Sequence, residues 1–182
     1  MNLDEAKCAL AEAECLFDRS QIDTALDCMA DHITRELEGS NPVALCIMNG
    51  GLIIAGHLLT RLTFPLQVDY MHVTRYHEQT HGGDLHWHKK PSLSLKDRTA
   101  LLIDDILDEG HTLAAILAHC RAQGATRVAA AVLVNKRHAR KQGCVRANYI
   151  GLTIDDRYVF GFGMDYKGYL RNLPGIYAVK TA

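Results

Sequence analysis

The sequence predicts an α/β fold in which a mostly parallel sheet is covered by helices on both sides. Three observations predict it. Short apolar runs alternate with stretches of helical period between residues 43 and 134. Strand–helix–strand alternation of that kind implies parallel pairing through right-handed crossovers. The run at residues 99–103 is apolar throughout, as expected of a strand buried on both faces. Finally, glycines and acids cluster just past the strand ends, where such sheets hold ligands.

Taken in order, the first forty residues read as two helices. Ser20 and Asp23 give the second a capping-box-like start, with Asp in place of the usual Glu. Ile22, Leu26, Met29, Ile33 and Leu37 trace one face of it. Asn41-Pro42 ends it, because the residue before proline avoids the α region. Val43 to Met48 is a strand stopped by Asn49-Gly50-Gly51, and a helix follows from Leu52 to Leu62. Val68 to Val73 is the next strand, and residues 74–96 are polar without a period. A third strand runs from Thr99 to Ile103. After Thr112 an amphipathic helix carries Leu113, Ile116, Leu117 and Cys120 on one side, with Gly124 to stop it. Val128 to Val134 is the fourth strand.

The 182 residues suit one domain spanning 1–182, with a core at about 41–150. Composition is 48% hydrophobic and 23% charged, and mean hydropathy is -0.08. No apolar run approaches the ~20 residues that span a bilayer, and the acidic start MNLDEAKCALAEAE is unlike a signal peptide. The expected compartment is the cytoplasm, with no membrane association. A net charge of -1 and a pI near 6.8 argue against a general nucleic-acid binder. The six cysteines (8, 15, 28, 46, 120 and 144) form no CxxC pair and read as reduced core thiols.

The chemistry concentrates in Leu101-Leu-Ile-Asp-Asp-Ile-Leu-Asp-Glu-Gly-His-Thr112. Asp104 and Asp105 emerge where the strand ends, and two adjacent carboxylates can accept both hydroxyls of a vicinal diol. Gly110 allows close backbone approach, and Thr112 opens a helix whose free N–H groups favour phosphate. One loop can thus hold both ends of a ribose 5-phosphate. A plain acidic strand end, or a magnesium site of another α/β family, is the simpler reading of two aspartates alone. The spacing GxxxxGK[ST] of nucleotide triphosphatases is absent.

The full string Ile-Asp-Asp-Ile-Leu-Asp-x-Gly-x-Thr resembles the phosphoribosyl-pyrophosphate (PRPP) signature of type I phosphoribosyltransferases. Val132-Leu-Val-Asn-Lys136 and the stretch from Asp156 to Arg171 resemble the base-binding segments of hypoxanthine–guanine phosphoribosyltransferases. The resemblance covers roughly residues 43–180. It implies a parallel sheet with a small hood from the chain ends, and a homodimer or homotetramer. It also implies magnesium-dependent transfer of 5-phosphoribose from PRPP to hypoxanthine or guanine, giving IMP or GMP and pyrophosphate.

By the same resemblance, Asp104 and Asp105 hold the ribose hydroxyls, while Asp108, Glu109, Gly110, His111 and Thr112 cradle the 5-phosphate. Asp108 is the acid–base residue beside purine N7. Lys136 donates to the 6-oxo group, Tyr158 stacks on the base and Val159 offers its main chain. Asp165 is the magnesium-linked acid, with Asp104 and Asp105 as further oxygen ligands. Arg171, Asn49 and Gly50 face pyrophosphate. Without the resemblance, Asp108 is a helix-start acid, Lys136 a solvated strand end and Tyr158 a core residue.

Two departures stand out. Asn49 lies where relatives often carry Lys or Arg, at a peptide that is often cis in the family. Arg75-Tyr76 aligns with a Ser-Tyr pair of the loop that closes over the site, and Arg75 is a candidate to replace the missing charge. Gln79 to Gly83 reads as that loop's tip, and His77, His81, His86 and His88 as a solvated histidine-rich segment and not a metal cluster. The competing functions are a xanthine-preferring or pyrimidine phosphoribosyltransferase and a non-catalytic PRPP-sensing regulator.

Overall fold

The computed structural model describes residues 2–75, 85–138 and 145–180, apart from the side chains of Arg75 and Leu85. The N-terminal helices are α1 (Leu3–Glu12) and α2 (Arg19–Leu37), and between them lies strand β1 (Glu14–Phe17), which has no alternating pattern to betray it. The capping box of α2 is Asp18 and Gln21, not Ser20 and Asp23. Asp18 accepts from the Gln21 N–H at 2.9 Å, and the Gln21 side chain accepts from the Asp18 N–H at 3.0 Å. Asp23 instead pairs with Arg19 and Arg61, each at 2.7 Å. The helix also stops short of Asn41-Pro42, at Leu37, because Gly39 turns the chain at φ 82°.

The central sheet consists of β2 (Val43–Met48), β3 (Gln67–Arg75), β4 (Leu85–Lys89), β5 (Thr99–Leu107), β6 (Arg127–Arg137) and β7 (Tyr149–Asp155). Their spatial order is β4-β3-β2-β5-β6-β7, parallel throughout except for β4, which runs antiparallel at the edge. Helices α3 (Gly51–Leu59) and α4 (His111–Ala122) follow β2 and β5. Strand alternation divides the interior into two cores. Ala44, Cys46, Leu101 and Ile103 face α2 and α3, whereas Val43, Leu45, Ala100 and Leu102 face Leu113, Ile116 and Cys120 of α4. All five predicted apolar positions of α2 are buried, which holds that helix to the sheet.

The chain ends meet in a second, antiparallel sheet of β1, β9 (Ile176–Ala178) and β8 (Val159–Phe160). This is the hood that the resemblance implied. No helix among the described residues is long and apolar enough to cross a membrane. Cys8, Cys15, Cys28, Cys46 and Cys120 are free thiols. Only Cys46 and Cys120 of these are core residues, and burial pushes each thiol up to about 11. Cys8, Cys15 and Cys28 are exposed, because their helix faces and strand edge turn outward. Cys144 lies outside the described residues.

Candidate active site

The carboxyl ends of β2, β3 and β5 open onto a cleft of about 400 Å³, lined also by Asp165 and Arg171. Strand β5 extends past the predicted Ile103 to Leu107, since pairing with β6 continues to Leu107 and Asn135. Asp104 and Asp105 are therefore strand residues and not the start of a loop. Asp105 is only 8% exposed. Its Oδ1 accepts from the Ile106 N–H at 2.8 Å, while Asp104 Oδ1 accepts from the Asp105 N–H at 3.0 Å. Burial, followed by the charge of Asp105, pushes the Asp104 carboxyl well above the usual range. Burial also raises that of Asp105, with Arg171 at 3.8 Å opposing it.

Behind this pair the backbone is packed to the limit. A Cβ on Gly50 would fall inside the Asp105 carboxyl group, and one on Gly163 would strike the Gly50 carbonyl oxygen. Gly163 also needs its freedom at φ 107°. The Met48–Asn49 peptide is cis, and Asn49 and Gly50 line the cleft. Next to these glycines Arg171 Nη2 lies 2.6 Å from Asp165, and its Nη1 donates to the Gly163 carbonyl at 2.5 Å. Asp165 also accepts from the Gly168 N–H at 2.7 Å.

Gly110, at φ 90°, caps α4 without a side-chain hydrogen bond, so the first-turn N–H groups of α4 form an anion-seeking end beside Asp108. The helix begins at His111 and not at Thr112. Thr112, Glu109 and Gly110 line the cleft, whereas the His111 imidazole lies outside it, 3.8 Å from Glu109.

Asp108 is the hub of the inner end. Lys136 Nζ donates to its Oδ2 at 3.0 Å, and His138 Nε2 lies 2.6 Å from its Oδ1. Burial raises the Asp108 carboxyl, but these two donors outweigh it and hold it below the ordinary range. Lys136 is 9% exposed, so it is no solvated strand end. Tyr158 is 52% exposed and its hydroxyl donates to the Asp165 carbonyl at 3.4 Å, so it is no core residue either. Val159 is buried in β8, paired with Ala178. Arg75 ends β3, and Tyr76, His77, His81 and the Gln79 to Gly83 segment lie outside the described residues.

His138, Asp156, His72 and Thr74 were not anticipated. His138 follows Lys136 by two positions, just past the end of β6, and that period-two spacing was a usable signal. His72 and Thr74 line the cleft from β3, with His88 2.9 Å from the Thr74 hydroxyl, tilted against the His72 ring and edge-on to His86. The histidines predicted to lie in a solvated loop thus include two, His86 and His88, on the regular strand β4.

Two acidic groupings bear on metals. Asp104, Asp105 and Asp165 supply carboxylate oxygens to the cleft, the hard donors that suit magnesium when phosphate and water complete its shell. Among the described residues, Asp108, His138 and Asp156 bring their donor atoms within 4.8 Å of one another. There the Lys136 ammonium already holds the Asp108 carboxylate, which opposes a divalent cation.

Residues 15–167 match the phosphoribosyl transferase domain. The chain is 28% identical over 167 residues to a hypoxanthine-guanine-xanthine phosphoribosyltransferase of Tritrichomonas foetus, covering 92% of this chain and 91% of that one. It is 31% identical over 150 residues to a hypoxanthine-guanine phosphoribosyltransferase of Staphylococcus epidermidis, with 82% and 83% covered. A crystal structure of a hypoxanthine phosphoribosyltransferase from Staphylococcus aureus superimposes with a TM-score of 0.88 at 27% identity, over 99% of this chain and 96% of that one. With the sheet order, the hood and the aspartate-bearing strand already in place, the matched span assigns the chain to the phosphoribosyl transferase domain family.

Proposed function

We propose that this protein transfers 5-phosphoribose from PRPP to hypoxanthine or guanine, releasing pyrophosphate and giving IMP or GMP, a purine-salvage reaction. The observation that carries the reading is the Lys136–Asp108 pair beside the buried Asp104-Asp105 step. A 6-oxopurine presents an acceptor at O6 and, in its N7–H form, a donor next to it. An ammonium and a carboxylate side by side complement that edge. The names of the relatives support the same substrates.

In this reading Asp104 and Asp105 accept from the ribose 2- and 3-hydroxyls, and the 5-phosphate sits on the N–H groups opening α4. The N9 lone pair forms the bond to ribose C1 as the bond to pyrophosphate breaks, and the N7 proton passes to Asp108. Lys136 holds O6, Tyr158 covers the base and the Val159 main chain meets its edge. Asn49, Gly50 and Arg171 receive pyrophosphate. Magnesium held by Asp165, with Asp104 and Asp105 nearby, would offset charge on the departing pyrophosphate. A homodimer or homotetramer in the cytoplasm completes the proposal. Sedimentation tests the first part, and the free thiols fit a reducing compartment.

The deciding experiment is turnover of PRPP and magnesium with hypoxanthine, guanine, xanthine, adenine and uracil. Formation of IMP and GMP supports the reading; turnover of uracil alone, or of no base, overturns it. Xanthine is the second acceptor to examine, since the Tritrichomonas relative bears it in its name.

A further inference from the structure

The acid–base carboxylate is held from behind by a residue that neither the motif nor the proposed substrate contacts call for. His138 lies just past β6, and its side chain is 4% exposed. A carboxylate only accepts, so the 2.6 Å contact to Asp108 Oδ1 places the proton on His138 Nε2. The other ring nitrogen, Nδ1, is buried and has no hydrogen-bond partner among the described residues. An imidazole that merely braced a core would be expected to use both nitrogens, because a buried polar atom without a partner is costly. The one polar contact described for this ring is Asp108.

Resting on the proposed function, we propose that His138 is the positioning residue for Asp108. Its Nε2–H pins Oδ1, which leaves Oδ2 aimed at purine N7 when the Lys136 ammonium turns to the 6-oxo group. Without that anchor, transfer of Lys136 to substrate would free the carboxylate to rotate at the moment it must accept a proton. The charged and titratable groups described facing Asp108 are Lys136 on β6, His138 just past it and Asp156 just after β7, whose carboxylate reaches within 4.8 Å. Asp156 adds a second negative charge to this corner of the site. The reaction stays balanced as written above: His138 gives up no proton, and the N7 proton ends on Asp108 Oδ2.

The test compares the wild type with His138→Leu, which fills the space without a donor, and His138→Gln, whose amide N–H reaches a similar point. His138→Leu is expected to lower kcat about 10- to 100-fold, part of the 10²–10⁴ that a positioned acid–base group supplies. PRPP affinity should stay within about twofold, since the imidazole does not line the cleft and the proposed 5-phosphate contacts are main-chain N–H groups. The acid limb of kcat/KM should move to higher pH, because a donor to the ionised carboxylate is lost. His138→Gln should restore both. A ¹³C titration of the Asp108 carboxyl gives a readout independent of turnover, and should move upward in His138→Leu. Wild-type kcat and an unmoved carboxyl titration in His138→Leu overturn the proposal, as does a Gln variant as impaired as Leu. If the wild type turns over no purine while the Asp108 titration still responds, the functional reading falls and the His138 contact stands.

Discussion

Gly50→Ala strains the contact between the β2 loop and the buried Asp105 carboxyl. Gly50 has φ -57° and ψ -46°, so alanine meets no backbone obstacle. The added methyl, however, would lie 2.6 Å from Asp105 Oδ1 and closer still to the rest of that carboxyl group. Asp105 must swing away, breaking its 2.8 Å bond from the Ile106 N–H and changing its relation to Arg171. Hydrogen bonds to a charged group contribute about 1.5–3 kcal/mol, which corresponds to roughly 10- to 100-fold in PRPP affinity if the same carboxylate holds a ribose hydroxyl. At about 2–4 °C per kcal/mol for a chain this size, the melting temperature should fall by roughly 3–12 °C. Calorimetric titration with PRPP and magnesium, alongside thermal melts, measures both. Gly56→Ala is the control. It lies within α3, its Cβ would meet nothing within 4 Å, and it should stabilise by about 0.8–1 kcal/mol without touching affinity. Wild-type PRPP affinity in Gly50→Ala would refute the argument, because the clash would then have been relieved without moving Asp105.

Asp108→Asn should lower kcat by about 10²–10⁴ while GMP affinity, measured by calorimetry, stays nearly intact; an unchanged kcat would make it a helix-start acid after all. Adenine should be rejected by about 10⁴ in kcat/KM, since its 6-amino donor faces the Lys136 donors, and Lys136→Ala should damage 6-oxopurine turnover far more than PRPP binding. Comparable steady-state rates with adenine and hypoxanthine would refute that. Asp69 accepts N–H groups of Tyr70, Ser92 and Leu93. Burial raises its carboxyl, but those bonds outweigh it and leave it below the ordinary value. Its stabilisation is thus present above the unfolded carboxyl range of about 3.9 and disappears as pH falls through the lower folded value. Asp69→Ala should melt below wild type at pH 7 and alike in strong acid; a gap independent of pH would place the effect elsewhere.

The four inner strands were legible chiefly because β2, β5 and β6 are built on apolar runs, and the α2 face because its period is undisturbed. Strands β1, β4, β7, β8 and β9 were not. They lie at sheet edges or in the hood, and owe their conformation to partners distant in sequence, as when Glu14 meets Ala178. The α2 cap was misplaced by two residues because Ser20 and Asp23 satisfy the same residue preferences as Asp18 and Gln21. The motif located Asp104, Asp105 and Asp108 but not the environment that governs them. The reach of strand β5, the Gly50 contact and the His138 hydrogen bond are all products of packing between segments 28 to 55 positions apart.

The cations described along the cleft are already engaged within the protein: Lys136 with Asp108, and Arg171 with Asp165. Ligand capture is therefore an exchange of partners. In the proposed reaction, the 6-oxo group and pyrophosphate would each displace an internal carboxylate instead of meeting an isolated charge, which limits the gain on binding. The same arrangement works in reverse at the end of the cycle. As nucleotide and pyrophosphate leave, Asp108 and Asp165 stand ready to take back the ammonium and guanidinium, so departure strands no buried charge. In the proposed reaction, a site wired this way would trade ground-state affinity for ease of product escape.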